Sequence, residues 1–102
     1  MHYKKIYDNI IESAKYRKLI GYKEKHHIIP KCMNGTDSNE NLVELTAKEH
    51  YTCHRLLCEI FPSNNKLKYA FRCMLMYNNN QKRYKISARI YEKLKFELYN
   101  IP

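Results

Sequence analysis

Three neighbouring stretches decide the fold: Lys25-His-His-Ile-Ile-Pro-Lys31, Asn41-Leu-Val-Glu-Leu-Thr46 and Glu49-His-Tyr-Thr-Cys-His54. Aromatic and β-branched residues favour an extended strand from Tyr22 to Pro30, where the proline closes it. Leu42–Leu45 is predicted as a second short strand. The polar segment between them, 31–41, contains an Asn-Gly pair typical of a turn. The centre of the chain is therefore predicted as two short strands joined by a loop.

Helices are predicted on both sides of these strands. Before them, apolar residues follow helical spacing from about Tyr3 to Ile20, and Gly21 stands where a left-handed helix cap belongs. The apolar residues in question are Ile6, Ile10, Ile11 and Ala14. After the strands, Thr46 and Glu49 match a capping box, which predicts a helix running to about Ile60.

The last third of the chain is predicted as two basic helices. Ser63 is the expected N-cap of the first, and the Asn78–Asn80 run is expected to end it. Ser87 is the expected start of the second. The apolar faces of the two helices comprise Leu67, Ala70, Phe71, Met74 and Leu75, and then Ile90, Tyr91, Leu94 and Leu98. The predicted fold class is α+β and mostly helical.

The length and composition bound the possible classes of protein. A chain of 102 residues, 44% hydrophobic and 28% charged, is typical of one soluble domain. No apolar run approaches the roughly 18 residues that a membrane span needs. The opening MHYKKIYDN lacks the apolar middle of a signal peptide, so the expected compartment is the cytoplasm.

The net charge of +9 is unevenly distributed along the chain. From Pro62 onward the chain has nine basic residues and two acidic ones, Glu92 and Glu97, which gives this segment a net charge of +7. Such asymmetry indicates a face that binds a polyanion, although a lysine-rich solvated surface would have the same composition.

Four of the five histidines are spaced for a common site, whereas His2 is expected to be an ordinary surface residue. His26 and His27 are adjacent in the first strand, so their side chains point to opposite faces. His50 and His54 lie four residues apart on the following helix, which places both imidazoles on one face. A strand returning into that helix could bring His26 beside this pair to hold a metal ion.

The three stretches quoted at the outset resemble the HNH nuclease motif of phage-encoded and homing-type endonucleases. The resemblance implies a ββα-metal (His-Me finger) core at about residues 22–60, within a single nuclease domain of residues 1–102 whose basic helical extension covers about 63–99. It implies His26, His50 and His54 as metal ligands and His27 as the general base. It also implies that Asn41 ties the hairpin loop together and keeps that base oriented, and that Glu24 is a supporting acidic residue.

The resemblance further implies a metal-dependent endonuclease that acts on double-stranded DNA in a bacterial host cell, with no membrane partner and a possible homodimer. Three imidazoles leave room for water and phosphate around one divalent ion. Three nitrogen ligands favour Zn, Ni, Co or Mn over Mg, whereas the family often uses Mg or Mn, so the identity of the metal stays open. The residues expected to contact DNA phosphates are Lys66, Lys68, Arg72, Arg83, Lys85 and Arg89.

Two other classes of protein remain open at this point. One is a non-catalytic DNA-binding module with a structural zinc, to which Cys32 or Cys53 would supply a fourth ligand. The other is a small basic interaction protein whose histidines have no common role. None of the four cysteines forms a Cys-x-x-Cys pair, so a zinc-knuckle spacing is absent from the sequence.

Overall fold

The architecture comes from a computed structural model that describes residues 2–79, 82–85 and 87–99, with the backbone alone at 75–79, 82–85 and 97–99. Within these residues the chain is α+β and mostly helical, as predicted. The elements are α1 (Tyr3–Lys15), β1 (Glu24–His27), β2 (Leu42–Leu45), α2 (Ala47–Ile60), α3 (Asn65–Leu75), β3 (Met76–Asn79), β4 (Lys82–Lys85) and α4 (Ala88–Tyr99).

The first sheet is the antiparallel pair of β1 and β2, in which His26 faces Val43 across the ladder. β2 covers the predicted residues, whereas β1 is shorter than the predicted strand. Its pairing ends after His27 because Asn41 captures the following backbone: its carbonyl accepts from the Ile28 amide and its side chain from the Ile29 amide. The loop between the strands is therefore held closed at its base.

The prediction that α1 continues to Ile20 is wrong. The buried stripe is Tyr7, Ile11 and Ala14, and the next position on that face is the charged Lys18. A helix stabilised by burying an apolar stripe gains no further stabilisation from burial beyond the end of that stripe. Gly21 does have a positive φ of 88°, but it lies beyond the end of the helix and is not its cap.

α2 begins as predicted, because both hydrogen bonds of the capping box are present. The Glu49 amide donates to the Thr46 hydroxyl, and the Glu49 carboxylate accepts from the Thr46 amide. α2 packs against α1, α3 and α4, which makes it the central element. The principal buried core comprises Tyr7, Ile11, Ala14, Val43, Leu45, Cys53, Leu56, Leu57 and Leu67.

The third helix has a different cap from the predicted one. The side-chain oxygen of Asn64, not Ser63, accepts hydrogen bonds from the amides of Lys66 and Leu67, each at 3.1 Å. Both residue types suit a helix start, and the structure selects the one directly before the helix.

Asn64→Ala should lower the free energy of unfolding by about 1 kcal/mol, because two amides at the start of α3 lose their acceptor. Ser63→Ala is the matched control and should leave it unchanged. Chemical denaturation of both variants measures the difference. Equal destabilisation by the two substitutions would contradict the assignment of the cap.

The prediction of two basic helices misses a second sheet. After α3 ends at Leu75, β3 and β4 pair antiparallel, with Tyr77 opposite Tyr84. Asn78 and Asn79 belong to β3 instead of ending a helix, and Asn80 lies outside the described residues. An asparagine-rich run between two tyrosine-containing stretches is typical of a hairpin, and that signal outweighs the helical pattern here.

The last helix is confirmed at its start, where the Ser87 hydroxyl accepts from the Ile90 amide at 3.2 Å. Tyr91 of α4 is buried against Ala47 and Tyr51 of α2, which seats α4 beside the start of that helix. None of the described helices is long and apolar enough to cross a membrane.

Candidate metal centre

The structure brings three of the predicted histidines together. β1 delivers His26 from one side, and α2 delivers His50 and His54 from the other. The ring centroids are 5.3 Å apart for His26 and His50, 5.2 Å for His26 and His54, and 4.8 Å for His50 and His54. One nitrogen from each ring lies within 4.8 Å of the other two. This is the convergence that strand and helix spacing predict.

The donor set fits a divalent cation. Nδ1 of His26 and Nδ1 of His54 are both buried, and neither has a hydrogen-bond partner among the residues that the structure describes. Leaving a buried polar atom unpaired costs about 1–3 kcal/mol, so two such atoms within one cluster of histidines require an explanation. A divalent metal ion is a partner that three imidazoles could hold.

Burial keeps two of these imidazoles neutral. It is the main cause that lowers the pKa of His26 to about 2, and the neighbouring His54 and His50 act in the same direction. Burial also lowers the pKa of His54 to about 4, with His50 contributing and Glu24 opposing. A neutral imidazole offers its lone pair to a metal, so the site is preformed for binding.

Glu24 lies behind His50, not at the open side of the site. Its carboxylate accepts hydrogen bonds from His50 Nδ1 at 2.6 Å, from the Tyr91 hydroxyl at 2.9 Å and from the Tyr22 hydroxyl. Burial alone would raise the pKa of Glu24, but the bonds from His50, Tyr22 and Tyr91 outweigh it and lower that pKa to about 2. An ionised Glu24 therefore holds the Nδ1 proton of His50 and leaves Nε2 for a metal.

His27 leaves β1 on the face opposite to His26, as the alternation of a strand requires, and it lines the same cleft as the three clustered histidines. Its side chain is 32% exposed, and Nε2 lies 2.8 Å from the Asp37 carboxylate. The other oxygen of Asp37 accepts from the Lys31 ammonium group at 2.9 Å. Asp37 is not among the predicted site residues, because it lies ten residues from His27 in the loop and no local sequence signal marks it.

Asn41 is buried and ties the loop together, as the resemblance implied. Its amide nitrogen donates to the carbonyls of Ile29 and Thr36, at 3.0 and 2.8 Å. Gly35 is part of this packing, since a β-carbon there would lie 1.7 Å from the Ile29 carbonyl oxygen. Within the described residues, the hydrogen bonds of the Asn41 side chain go to loop backbone and none goes to His27. The side chain bonded to His27 is Asp37.

A cleft of about 240 Å³ runs past the histidines, and lysines line its wall. Of the four predicted DNA-binding residues whose side chains the structure describes, only Lys66 lines it. Lys68, Arg72 and Arg89 are exposed elsewhere on α3 and α4. The side chains of Arg83 and Lys85 lie outside the described parts of the chain.

Two lysines of the motif itself complete the basic wall of the cleft. Lys25 shares the strand face of His27, and Lys31 follows the proline that ends the extended segment. Neither lysine is among the residues predicted to contact phosphate, all of which lie after residue 62. Their closeness in sequence to the histidine doublet could have revealed them.

A four-ligand zinc site finds no support in the described residues. Neither Cys32 nor Cys53 belongs to the ligand group formed by the three histidines. Cys53 is wholly buried in the apolar core, and burial raises the pKa of its thiol to about 12. A thiol that retains its proton is a poor metal ligand.

Comparison with known proteins identifies relatives from one source. Over 96 residues the chain is 44% identical to probable mobile endonuclease E of Enterobacteria phage T4, covering 93% of this chain and 68% of the relative. It is 47% identical to probable mobile endonuclease D of the same phage over 76 residues, which cover 70% of this chain and 29% of the relative. Identity to probable mobile endonuclease C is 39% over 100 residues, or 93% of this chain and 45% of the relative.

The chain thus spans about two thirds of the first of these relatives and less than half of the other two. No family model matches it. No solved structure matches it either.

Proposed function

Because the chain belongs to the family of the probable mobile endonucleases of Enterobacteria phage T4, we propose that it is a phage-encoded, metal-dependent DNA endonuclease of the HNH type. The observation that carries the proposal is the convergence of His26, His50 and His54 beside the outward-facing His27 in a lysine-lined cleft. The pairing of β1 with β2, followed directly by α2, supports a ββα-metal core.

The proposed reaction is hydrolysis of a phosphodiester bond. His26, His50 and His54 would hold one divalent ion, of a kind that the donor set alone does not specify. Such an ion supplies positive charge that stabilises the negative charge developing on the scissile phosphate and the departing 3′-oxygen. A side chain of this chain takes the proton of the attacking water, and the departing 3′-oxygen takes its proton from solvent.

His27 is the proposed general base. A neutral imidazole accepts a proton from the attacking water as the new bond to phosphorus forms and the bond to the 3′-oxygen breaks. Its hydrogen bond to Asp37 favours the tautomer with the proton on Nε2, which leaves the lone pair on Nδ1. Glu24 acts indirectly in this proposal, as a positioning residue for His50.

The proposed substrate is double-stranded DNA, and the basic residues of the cleft support it. Lys25, Lys31 and Lys66 can contact phosphates on either side of the scissile bond without reading the sequence. We further propose that Lys68, Arg72, Arg83, Lys85 and Arg89 extend this contact beyond the cleft.

Supercoiled plasmid tests the proposal directly. Purified protein should convert it to nicked or linear DNA in the presence of Mg²⁺, Mn²⁺, Zn²⁺ or Ni²⁺, and excess chelator should abolish the conversion. His2→Ala, which changes an exposed histidine of the chain, is the matched control and should cut like the wild type. DNA binding without cleavage in all four metals would contradict the proposed activity.

DNA affinity should fall steeply as salt rises. Neutralising about four phosphates gives a slope near −3.6 when the logarithm of the association constant is plotted against that of the salt concentration. Lys66→Ala should make this slope shallower by about 0.9, because one phosphate contact is lost. Lys5→Ala, on α1 and not among the residues lining the cleft, is the control with an unchanged slope. A flat response of the wild type would refute the polyanion-binding face.

A further inference from the structure

Tyr7 contacts the histidine cluster from outside the motif. It lies on α1, is 3% exposed, and its ring meets that of His26 edge-on with centroids 5.9 Å apart. Its hydroxyl oxygen is 2.7 Å from His26 Nε2 and 2.7 Å from the carbonyl oxygen of Ile28. One hydroxyl group thus joins α1 to the metal-facing histidine and to the backbone that follows β1.

The single proton of this hydroxyl decides the direction of both bonds. A carbonyl oxygen can only accept, so the Tyr7 proton is donated to Ile28. The contact with His26 then requires that Nε2 carry a proton and donate it to the tyrosine oxygen. A neutral imidazole has one such proton, so the lone pair of His26 lies on Nδ1. Nδ1 is the buried atom of His26 for which the described part of the chain offers no hydrogen-bond partner.

We propose that Tyr7 is a positioning residue of the metal site, which holds the proton of His26 on Nε2 and so presents Nδ1 as the ligand atom. The proposal rests on the proposed function in that it takes the three histidines as the metal ligands. It assigns opposite nitrogens to two of them, because Glu24 occupies Nδ1 of His50 and leaves Nε2 free. It also means that α1 contributes a residue to the metal site.

The consequence for metal binding follows from the loss of one oxygen atom. Phe at position 7 keeps the buried ring but removes the acceptor for the Nε2 proton. The imidazole is then free to adopt the Nδ1-protonated form, which cannot bind a metal through Nδ1. Removing an outer partner of a histidine ligand typically weakens metal affinity about 10–100-fold.

Zn²⁺ titration by calorimetry tests this in Tyr7→Phe, without DNA. We expect the dissociation constant to rise about 10–100-fold. Tyr3→Phe is the matched control, because it removes a hydroxyl from a partly buried ring one turn earlier on α1, and it should bind Zn²⁺ like the wild type. Thermal unfolding in chelator reports separately on the fold. Wild-type affinity in a folded Tyr7→Phe would overturn the proposal.

Long-range ¹H–¹⁵N spectra of the wild-type protein provide a test that needs no variant. In chelator, Nε2 of His26 should show the chemical shift of a protonated nitrogen and Nδ1 that of an unprotonated one. Added Zn²⁺ should then perturb Nδ1 of His26 and Nε2 of His50. A proton on Nδ1 of His26, or Zn²⁺ bound at its Nε2, would overturn the proposal whatever the variants do.

These measurements separate the two proposals. A protein that binds Zn²⁺ through His26 Nδ1 but never cuts plasmid contradicts the proposed activity and leaves the role of Tyr7 intact. A protein that cuts plasmid, with Tyr7→Phe binding Zn²⁺ as tightly as the wild type, contradicts the role of Tyr7 alone.

Discussion

His27→Ala should slow plasmid cleavage by about 10²–10⁴-fold while metal and DNA affinity stay at wild-type values. The large effect is expected because the water then has no base positioned to take its proton. The fold should tolerate the change, since the His27 side chain is one-third exposed and its side-chain bond is to the exposed Asp37. Single-turnover cleavage at saturating metal measures the rate.

Calorimetric Zn²⁺ binding to His27→Ala completes the first prediction. The affinity should match that of the wild type, and no metal concentration should restore cleavage. If His27→Ala loses the metal, the assignment of the two adjacent histidines to opposite roles is wrong.

The second large effect is expected for His54→Ala, which removes one of three proposed ligands. Metal affinity should fall by at least about 100-fold, more than for loss of an outer partner. In the wild type, metal at 100 times its dissociation constant should add about 2.7 kcal/mol to the free energy of unfolding, because only the folded state assembles the site. For a domain of this size that raises the melting temperature by roughly 10 °C or more.

Thermal unfolding of His54→Ala with and without metal measures this effect. The metal-induced rise should fall to a small fraction of the wild-type rise at the same metal concentration. Using the rise, and not the melting temperature itself, separates the lost ligand from lost packing around a buried imidazole. Excess metal should partly restore cleavage by His54→Ala. A full metal-induced rise in this variant would show that His54 is not a ligand.

The elements that the sequence predicted well are those specified by local patterns. The capping box at Thr46 acts within four residues, and both of its bonds are present. Leu42–Leu45 forms the predicted strand. The predicted end of α1 was too late, and Ser63 was predicted as the N-cap of α3 in place of Asn64. Both are errors at helix boundaries, where neighbouring residues have similar tendencies to end or cap a helix.

The second sheet was missed for a different reason. The residues after α3 include apolar side chains that a helix would also accommodate. The β3 segment is stable as a strand only when β4 pairs with it. A two-stranded hairpin is marginal by itself, so its formation depends on the rest of the fold.

The sequence by itself determined the spacing of the four histidines within their elements. Strand alternation separates His26 from His27, and helical periodicity aligns His50 with His54, because both follow from backbone geometry alone. Only the tertiary structure decided which other groups join the site. Tyr7 of α1 is hydrogen-bonded to His26, Tyr91 of α4 to Glu24, and Asp37 to His27. These contacts join residues from 10 to 67 positions apart. The two tyrosine contacts depend on how α1 and α4 pack against α2, and the Asp37 contact depends on how the loop between β1 and β2 closes. Helix packing is a cooperative outcome of burying the whole apolar surface, which no local pattern encodes.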